Sequence, residues 1–126
     1  MTENDISFII PVFNRPNEIR ELLDSFSKLT SSKDFEIVIV EDGSTIDSKD
    51  VIEDFKGQLN ISYYKKKNTG PGDSRNHGME LAKGSYFIIL DSDCILPEDY
   101  MKNVMDNLKN NYVDCFGGVD LSLIHI

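Results

Sequence analysis

Four short apolar runs, each ending in a polar cluster and separated from the next by an amphipathic stretch, leave this chain few folds to choose from. The runs are Ile6–Phe13, Phe35–Val40, Ile61–Tyr64 and Tyr86–Leu90, with a weaker fifth over Val113–Val119. Between them, Ile19, Leu22, Leu23 and Phe26 repeat at i, i+3, i+4, i+7, and Met101, Val104, Met105 and Leu108 do the same. Pro16 and Pro97 stand at the first position of these two helices, and Glu98 and Asp99 suit the positive end of the second dipole. Ser48 is placed to cap a shorter helix that buries Val51, Ile52 and Phe55. Pro71-Gly72-Asp73 opens another, whose Ser74, Gly78, Leu81 and Ala82 face the sheet before Lys83-Gly84 closes it.

Near-continuous apolar strands joined by helices predict a Rossmann-like α/β fold, three layers deep (αβα), around a mostly parallel sheet with right-handed crossovers. In strand order 3-2-1-4 the chain reverses direction between strands one and four, and a crevice opens at their carboxyl ends. Phe13-Asn14-Arg15 and Asp91-Ser92-Asp93 end those two strands, with Glu41-Asp42 one strand away. Three polar clusters that are distant in sequence are thus expected to meet.

Composition narrows the partners. With 126 residues, 40% of them hydrophobic, the chain buries one core, so a single domain or part of one is expected. Its 13 Lys and Arg against 22 Asp and Glu give a net charge of −9, which repels nucleic-acid phosphates. The basic cluster Lys65-Lys66-Lys67 reads as a solvated strand edge. Cys94 and Cys115 read as free, packing thiols in a reducing compartment. The acidic amino terminus lacks a secretory pattern, and no apolar run approaches the roughly 18 residues a spanning helix needs. A soluble, cytoplasmic chain is expected, with the cytoplasmic face of a membrane as the other location.

Each cluster has a plain reading beside the chemical one. Asn14 is also a residue that starts a helix behind Pro16, and Asp42-Gly43-Ser44-Thr45 is also an ordinary turn with a cap. Asn68-Thr69-Gly70-Pro71-Gly72 is a tight turn or a Gly-rich approach to a helix amino terminus that suits an anion. Arg75 is either a surface cation or the partner of Asp91. For Asp91 and Asp93 the plain reading is weaker, because two carboxylates at a buried strand's end repel unless a cation or an arginine neutralises them. Mg²⁺ or Mn²⁺, which take few carboxylates plus phosphate oxygens, fit better than a metal seeking histidines. His77 and His125 have no partner at ligand spacing.

Taken together, Phe8-Ile9-Ile10-Pro11-Val12-Phe13-Asn14-Arg15, Ile37 through Thr45, Asn68 through Gly72 with Arg75-Asn76-His77-Gly78, and Leu90-Asp91-Ser92-Asp93-Cys94 resemble the nucleotide-binding half of the family 2 inverting glycosyltransferases, which have the GT-A fold. The resemblance spans residues 6 to about 119. It implies that Pro11, Phe13 and Asn14 lie at the base and ribose of a nucleoside-diphosphate-sugar donor, and that Asp42 reads a uracil edge. Glu41 stands where the family often has Asp and is a weaker contact. Arg75 resembles the arginine that braces the nucleotide, Asp91 the residue facing ribose and metal shell, and Asp93 the direct metal ligand. Gly70 and Ser92, within the same motifs, complete the donor-binding set. Asp73 replaces a small residue, and Cys94 a further Asp found in many members.

The implied reaction is metal-assisted displacement at the anomeric carbon of a donor, UDP-linked by this reading, by an acceptor hydroxyl, with inversion. It would serve bacterial polysaccharide or glycoconjugate synthesis, with a saccharide or lipid-linked acceptor. The family's general base lies well beyond the acidic motif, so residues 1–120 are expected to bind donor without supplying that base. A nucleotidyltransferase, which shares the topology, and a non-catalytic nucleotide- or glycan-binding module are the alternatives. A phosphatase would place its carboxylates on strand one, which here ends in Asn14. Leu121-Ser122-Leu123-Ile124-His125-Ile126 resembles the in-frame translation of a transposon-end sequencing adapter, so residues 121–126 read as a non-native tail with no bearing on the expected fold; the alternative is an apolar strand with its own core face.

Overall fold

The computed structural model describes residues 2–110, 115–117 and 121–125, with side chains through Leu108. Strands and helices alternate as β1 (Ile6–Val12), α1 (Pro16–Ser27), β2 (Glu36–Asp42), α2 (Lys49–Phe55), β3 (Ile61–Lys66), α3 (Pro71–Leu81), β4 (Tyr86–Leu90) and α4 (Tyr100–Asn110). Two further strands follow, β5 (Cys115–Gly117) and β6 (Leu121–His125). Among the described residues one sheet forms, ordered β3-β2-β1-β4-β6-β5. The first four strands run parallel and have the expected 3-2-1-4 order.

Leu121–His125 takes the strand alternative, pairing antiparallel with β4, Leu90 opposite Leu121 and Tyr86 opposite His125. An open strand edge offers a row of unpaired amides and carbonyls to any neighbouring β-prone segment, whatever that segment's coding history. Of the weak fifth run, Cys115–Gly117 is a strand. Residues 113, 114, 118 and 119 lie outside the described residues.

Period-two alternation divides the core between the faces of the sheet. Ile6, Phe8, Ile10 and Val12 of β1 pack with Ile37 and Ile39 of β2 beneath α1, α2 and α4. The fully buried Phe8 meets Phe26 edge-on at 4.9 Å and Phe35 at 5.1 Å. The other face is smaller: Ile9, Val38, Val40 and Phe87 are covered by Met79 of α3 and by Ala82, which follows it. Helices α1 and α2 connect strands placed successively outward from β1 on one side, whereas α3 returns the chain past β1, so a right-handed crossover puts it on the opposite face. Gly78 lets α3 settle there, because a Cβ at this position would stand 2.6 Å from Ile9 Cγ2.

Two helix starts differ from expectation. Pro16 is the first residue of α1, but α4 begins at Tyr100, three residues after Pro97. The Glu98 carbonyl is occupied elsewhere, accepting Thr30 N–H at 2.9 Å and Thr30 Oγ1–H at 3.0 Å. Ser48 occupies the N-cap position of α2, yet its hydroxyl makes no capping bond and has no partner among the described residues.

Candidate functional site

At the carboxyl ends of β1, β2 and β4 lies a cleft of about 430 Å³, within the usual range for small-ligand sites. It opens where the chain reverses direction between β1 and β4, the place open α/β sheets reserve for ligands. Eight of the ten site residues expected from sequence line it: Pro11, Phe13, Asp42, Gly70, Arg75, Asp91, Ser92 and Asp93. Arg15, Asn68 and Pro71 line it too. They belong to the same motifs, but residue type alone does not show which side chain of a motif will line a cleft, since that is set by tertiary contacts.

The β4 wall is built to expose charge. Cys94 N–H donates to the Asp91 carbonyl at 3.2 Å, closing a tight turn after the strand. Buried Cys94 and Leu96 anchor the turn from below, and Leu96 N–H donates to Ser25 Oγ of α1 at 3.0 Å. Asp91 and Asp93 are left exposed, and neither carboxylate has a hydrogen bond or ion pair among the described residues.

The β2 wall is the reverse. The Asp42 carboxylate, 4% exposed, accepts Lys66 Nζ at 2.6 Å, Thr69 N–H at 2.9 Å and Gly70 N–H at 3.1 Å. Burial works against its ionisation, but the Lys66 ammonium and the two amides outweigh it and hold the carboxyl below its ordinary value. Lys66 is thus no solvated edge residue: it turns inward while Lys65 pairs outward with Asp47 at 2.7 Å. Gly43, at φ 72, allows Asn68 to pack directly against this turn, where a Cβ would meet the Asn68 amide nitrogen at 2.6 Å. Asn68 Nδ2 then donates to the Asp42 carbonyl at 3.0 Å.

On the α3 side, Arg75 makes no ion pair with Asp91, and its buried Nε–H has no acceptor among the described residues. A buried donor left unpaired costs free energy, and on a residue that lines the cleft it is a candidate contact for an acceptor.

Two expected contacts stand apart. Glu41 is fully buried behind the wall, its carboxylate accepting Ser44 Oγ–H, Ser48 N–H and Tyr63 O–H at 2.5, 2.8 and 2.8 Å. Burial, then the neighbouring Glu41, raises the Tyr63 phenol's pKa and keeps it a donor. Asn14 stands beside the cleft rather than on its wall. Nor does it cap α1, whose N-cap is Arg15; its Oδ1 accepts the Thr45 and Ile46 amides at 2.8 and 3.0 Å.

Among the described residues no three His, Cys, Asp or Glu side chains gather as a metal cage. Two unpaired carboxylates at a strand end nevertheless fit Mg²⁺ or Mn²⁺, which complete an octahedron with waters and phosphate oxygens. The charges point the same way: with Asp42 matched by Lys66 and Arg15 lying 3.9 Å from Glu18, Asp91 and Asp93 share the cleft lining with Arg15 and Arg75. An anion drawn to the arginines would be repelled by these carboxylates unless a cation lay between. No helix among the described residues is long and apolar enough to cross a membrane.

Comparison with known proteins agrees with this geometry. A glycosyltransferase of Rickettsia felis is 37% identical over 109 residues, covering 86% of this chain and 18% of its own length. The poly(ribitol-phosphate) β-glucosyltransferase of Bacillus spizizenii is 34% identical over 113 residues, 86% of this chain and 18% of that protein. The chain therefore spans about a fifth of the length of these relatives. Among solved structures, Staphylococcus aureus TarS 1–349 in complex with UDP-GlcNAc superposes with a TM-score of 0.82 at 30% identity, over 88% of this chain and 33% of that one. The mannosyltransferase PcManGT of Pyrobaculum calidifontis, with GDP-Man and Mn²⁺, reaches 0.85 at 18% identity over 96% of this chain and 44% of its own, a likeness of fold alone. The fold is GT-A, as expected. The glycosyl transferase family 2 model matches residues 7–121, and the chain belongs to that family.

Proposed function

We propose that this cleft binds a UDP-linked sugar through a cation-bridged diphosphate, as the donor half of a bacterial glycosyltransferase making a polysaccharide or glycoconjugate, cytoplasmic or at the cytoplasmic membrane face. The observation that carries the reading is the pairing of two bare carboxylates, Asp91 and Asp93, with an arginine whose buried Nε–H lacks an acceptor. Similarity to TarS, solved with UDP-GlcNAc, favours uridine.

Asp93 and Asp91 would hold Mn²⁺ or Mg²⁺, which offsets charge on the departing diphosphate when bound. Arg75 donates to the diphosphate and stabilises charge that grows as the sugar leaves. Pro11 and Phe13 flank the base, beside the ribose contacts of Asp91 and Ser92, while Gly70 brings the α3 amino terminus close to the phosphates. A carboxylate has about four acceptor sites. Asp42 has three in use, leaving one for the N3–H of uracil. The acceptor, a saccharide or lipid-linked hydroxyl, attacks the anomeric carbon from the far side, with inversion. With Asp42 tied down and Asp91 and Asp93 committed to the cation, no carboxylate among the described residues lining the cleft is left to take the acceptor's proton, in keeping with a family whose base lies beyond the acidic motif. Residues 1–120 are therefore assigned donor binding, not the general base.

Calorimetric titration with UDP and GDP, with and without Mn²⁺, tests this. UDP is expected to bind in an Mn²⁺-dependent way that Arg75→Ala weakens by at least about tenfold, as loss of a charge-assisted bond does. Equal affinity under all these conditions would overturn the reading.

A further inference from the structure

Behind the cleft wall runs a chain of hydrogen bonds in which no member touches the cleft, yet which ends at residues that line it. Glu41, 0% exposed, accepts three donors: Ser44 Oγ–H, Ser48 N–H and Tyr63 O–H. Because Ser44 spends its one hydroxyl proton on Glu41, its oxygen is free to accept, and Asn14 N–H donates to it at 2.8 Å. Asn14 closes the loop by accepting the Thr45 and Ile46 amides. These bonds hold Asn14 at φ 52, a left-handed conformation that Asn takes more readily than most residues with a side chain. Phe13 and Arg15, on either side of Asn14, line the cleft.

We propose that Glu41 is a positioning residue for donor binding: it folds residues 44–48 into a clamp on Asn14, which sets Phe13 and Arg15 against the ligand. The proposal rests on reading the cleft as a nucleoside-diphosphate site. It replaces the weak direct contact expected of Glu41 with an indirect role. A carboxylate suits the position because all three partners are donors, whereas an amide would turn its own N–H₂ toward at least one of them.

A double-substitution cycle read by UDP titration in Mn²⁺ tests it. Glu41→Gln keeps shape and volume, and it is expected to weaken UDP about tenfold, as when the competent loop falls to roughly one molecule in ten. Glu41→Gln with Asn14→Ala is expected to bind no worse than Asn14→Ala alone, since both open one clamp. Glu41→Gln with Arg75→Ala is expected to show the product of the two losses. Ser44→Ala, which cuts the relay but spares the bonds from Glu41 to Ser48 and Tyr63, serves where Glu41→Gln folds poorly and is expected to behave alike. Unchanged UDP affinity in Glu41→Gln, or a fully multiplicative Glu41–Asn14 pair, overturns the proposal. If the unsubstituted chain binds no UDP, the donor reading fails, and the clamp is judged by hydrogen exchange. Faster exchange confined to the Thr45 and Ile46 amides in Glu41→Gln supports it; unchanged exchange overturns it.

Discussion

The ends of β2 and β4 carry the same chemistry, two carboxylates each, and the fold treats them in opposite ways. Glu41 and Asp42 are buried and accept three hydrogen bonds apiece from their surroundings. Asp91 and Asp93, two strands away across β1, face solvent with no hydrogen bond or ion pair among the described residues. A carboxylate with three of about four acceptor sites in use keeps one at most for a ligand and gives the rest to the loops it ties. A bare one contributes little to folding and is available to a cation. The difference separates the scaffold of the site from its working groups, which residue type alone does not.

Substitution at the four positions should reproduce that division. Glu41→Leu leaves three donors unsatisfied and is expected to cost about 4 kcal/mol in urea unfolding. A loss below about 1 kcal/mol would mean that the Glu41 network contributes little. Asp42→Asn strips the inward-facing Lys66 of its nearer charged partner, leaving Asp73 at 3.8 Å, with an expected cost of about 2 kcal/mol. Acid tests the same pair. The folded-state pKa of Asp42 lies below its ordinary value of 3.8, so its contribution is complete above that value and declines as pH falls through the lowered one. Unfolding midpoints measured from pH 5 downward should therefore drop less steeply in Asp42→Asn than in the unsubstituted chain.

At the other wall the order inverts. Asp91→Asn and Asp93→Asn are expected to change stability by no more than about 0.5 kcal/mol, as exposed unpaired positions do. Asp93→Asn should nonetheless weaken Mn²⁺-dependent UDP binding at least about tenfold, a typical loss when metal coordination is disturbed. For scale, Arg20→Ala removes an exposed 2.9 Å pair with Asp54 and should cost about 0.3 kcal/mol in the same unfolding assay.

What was legible in the sequence was what depends on periodicity. The strands β1 to β4, their order, the buried stripe Ile19, Leu22, Leu23 and Phe26, and the close approach of Gly78 all follow from local pattern and crossover geometry. Partner choice was not legible. Nothing around Pro97 shows that Glu98 will be drawn to Thr30, delaying α4 to Tyr100. Nor does Glu41, the first carboxylate after an apolar run, show whether it will point to the cleft or behind it. Lys66 and Lys65 are identical in type, and strand alternation on an edge strand sends one inward to Asp42 and the other outward to Asp47. Whether Leu121–His125 would find a partner was not legible either, because the vacant edge of β4 is a tertiary fact.

Paramagnetic broadening of backbone amide signals by Mn²⁺ with UDP locates the cation directly. A chain of net charge −9 offers Mn²⁺ many loose acidic contacts, so the pattern and its dependence on nucleotide carry the information. Residues 91–93 are expected to broaden first, with Phe13, Gly70 and Arg75, and only when UDP is present at low Mn²⁺. Broadening spread over the acidic faces of α1 and α2, and indifferent to UDP, would contradict a cation-bridged diphosphate in this cleft.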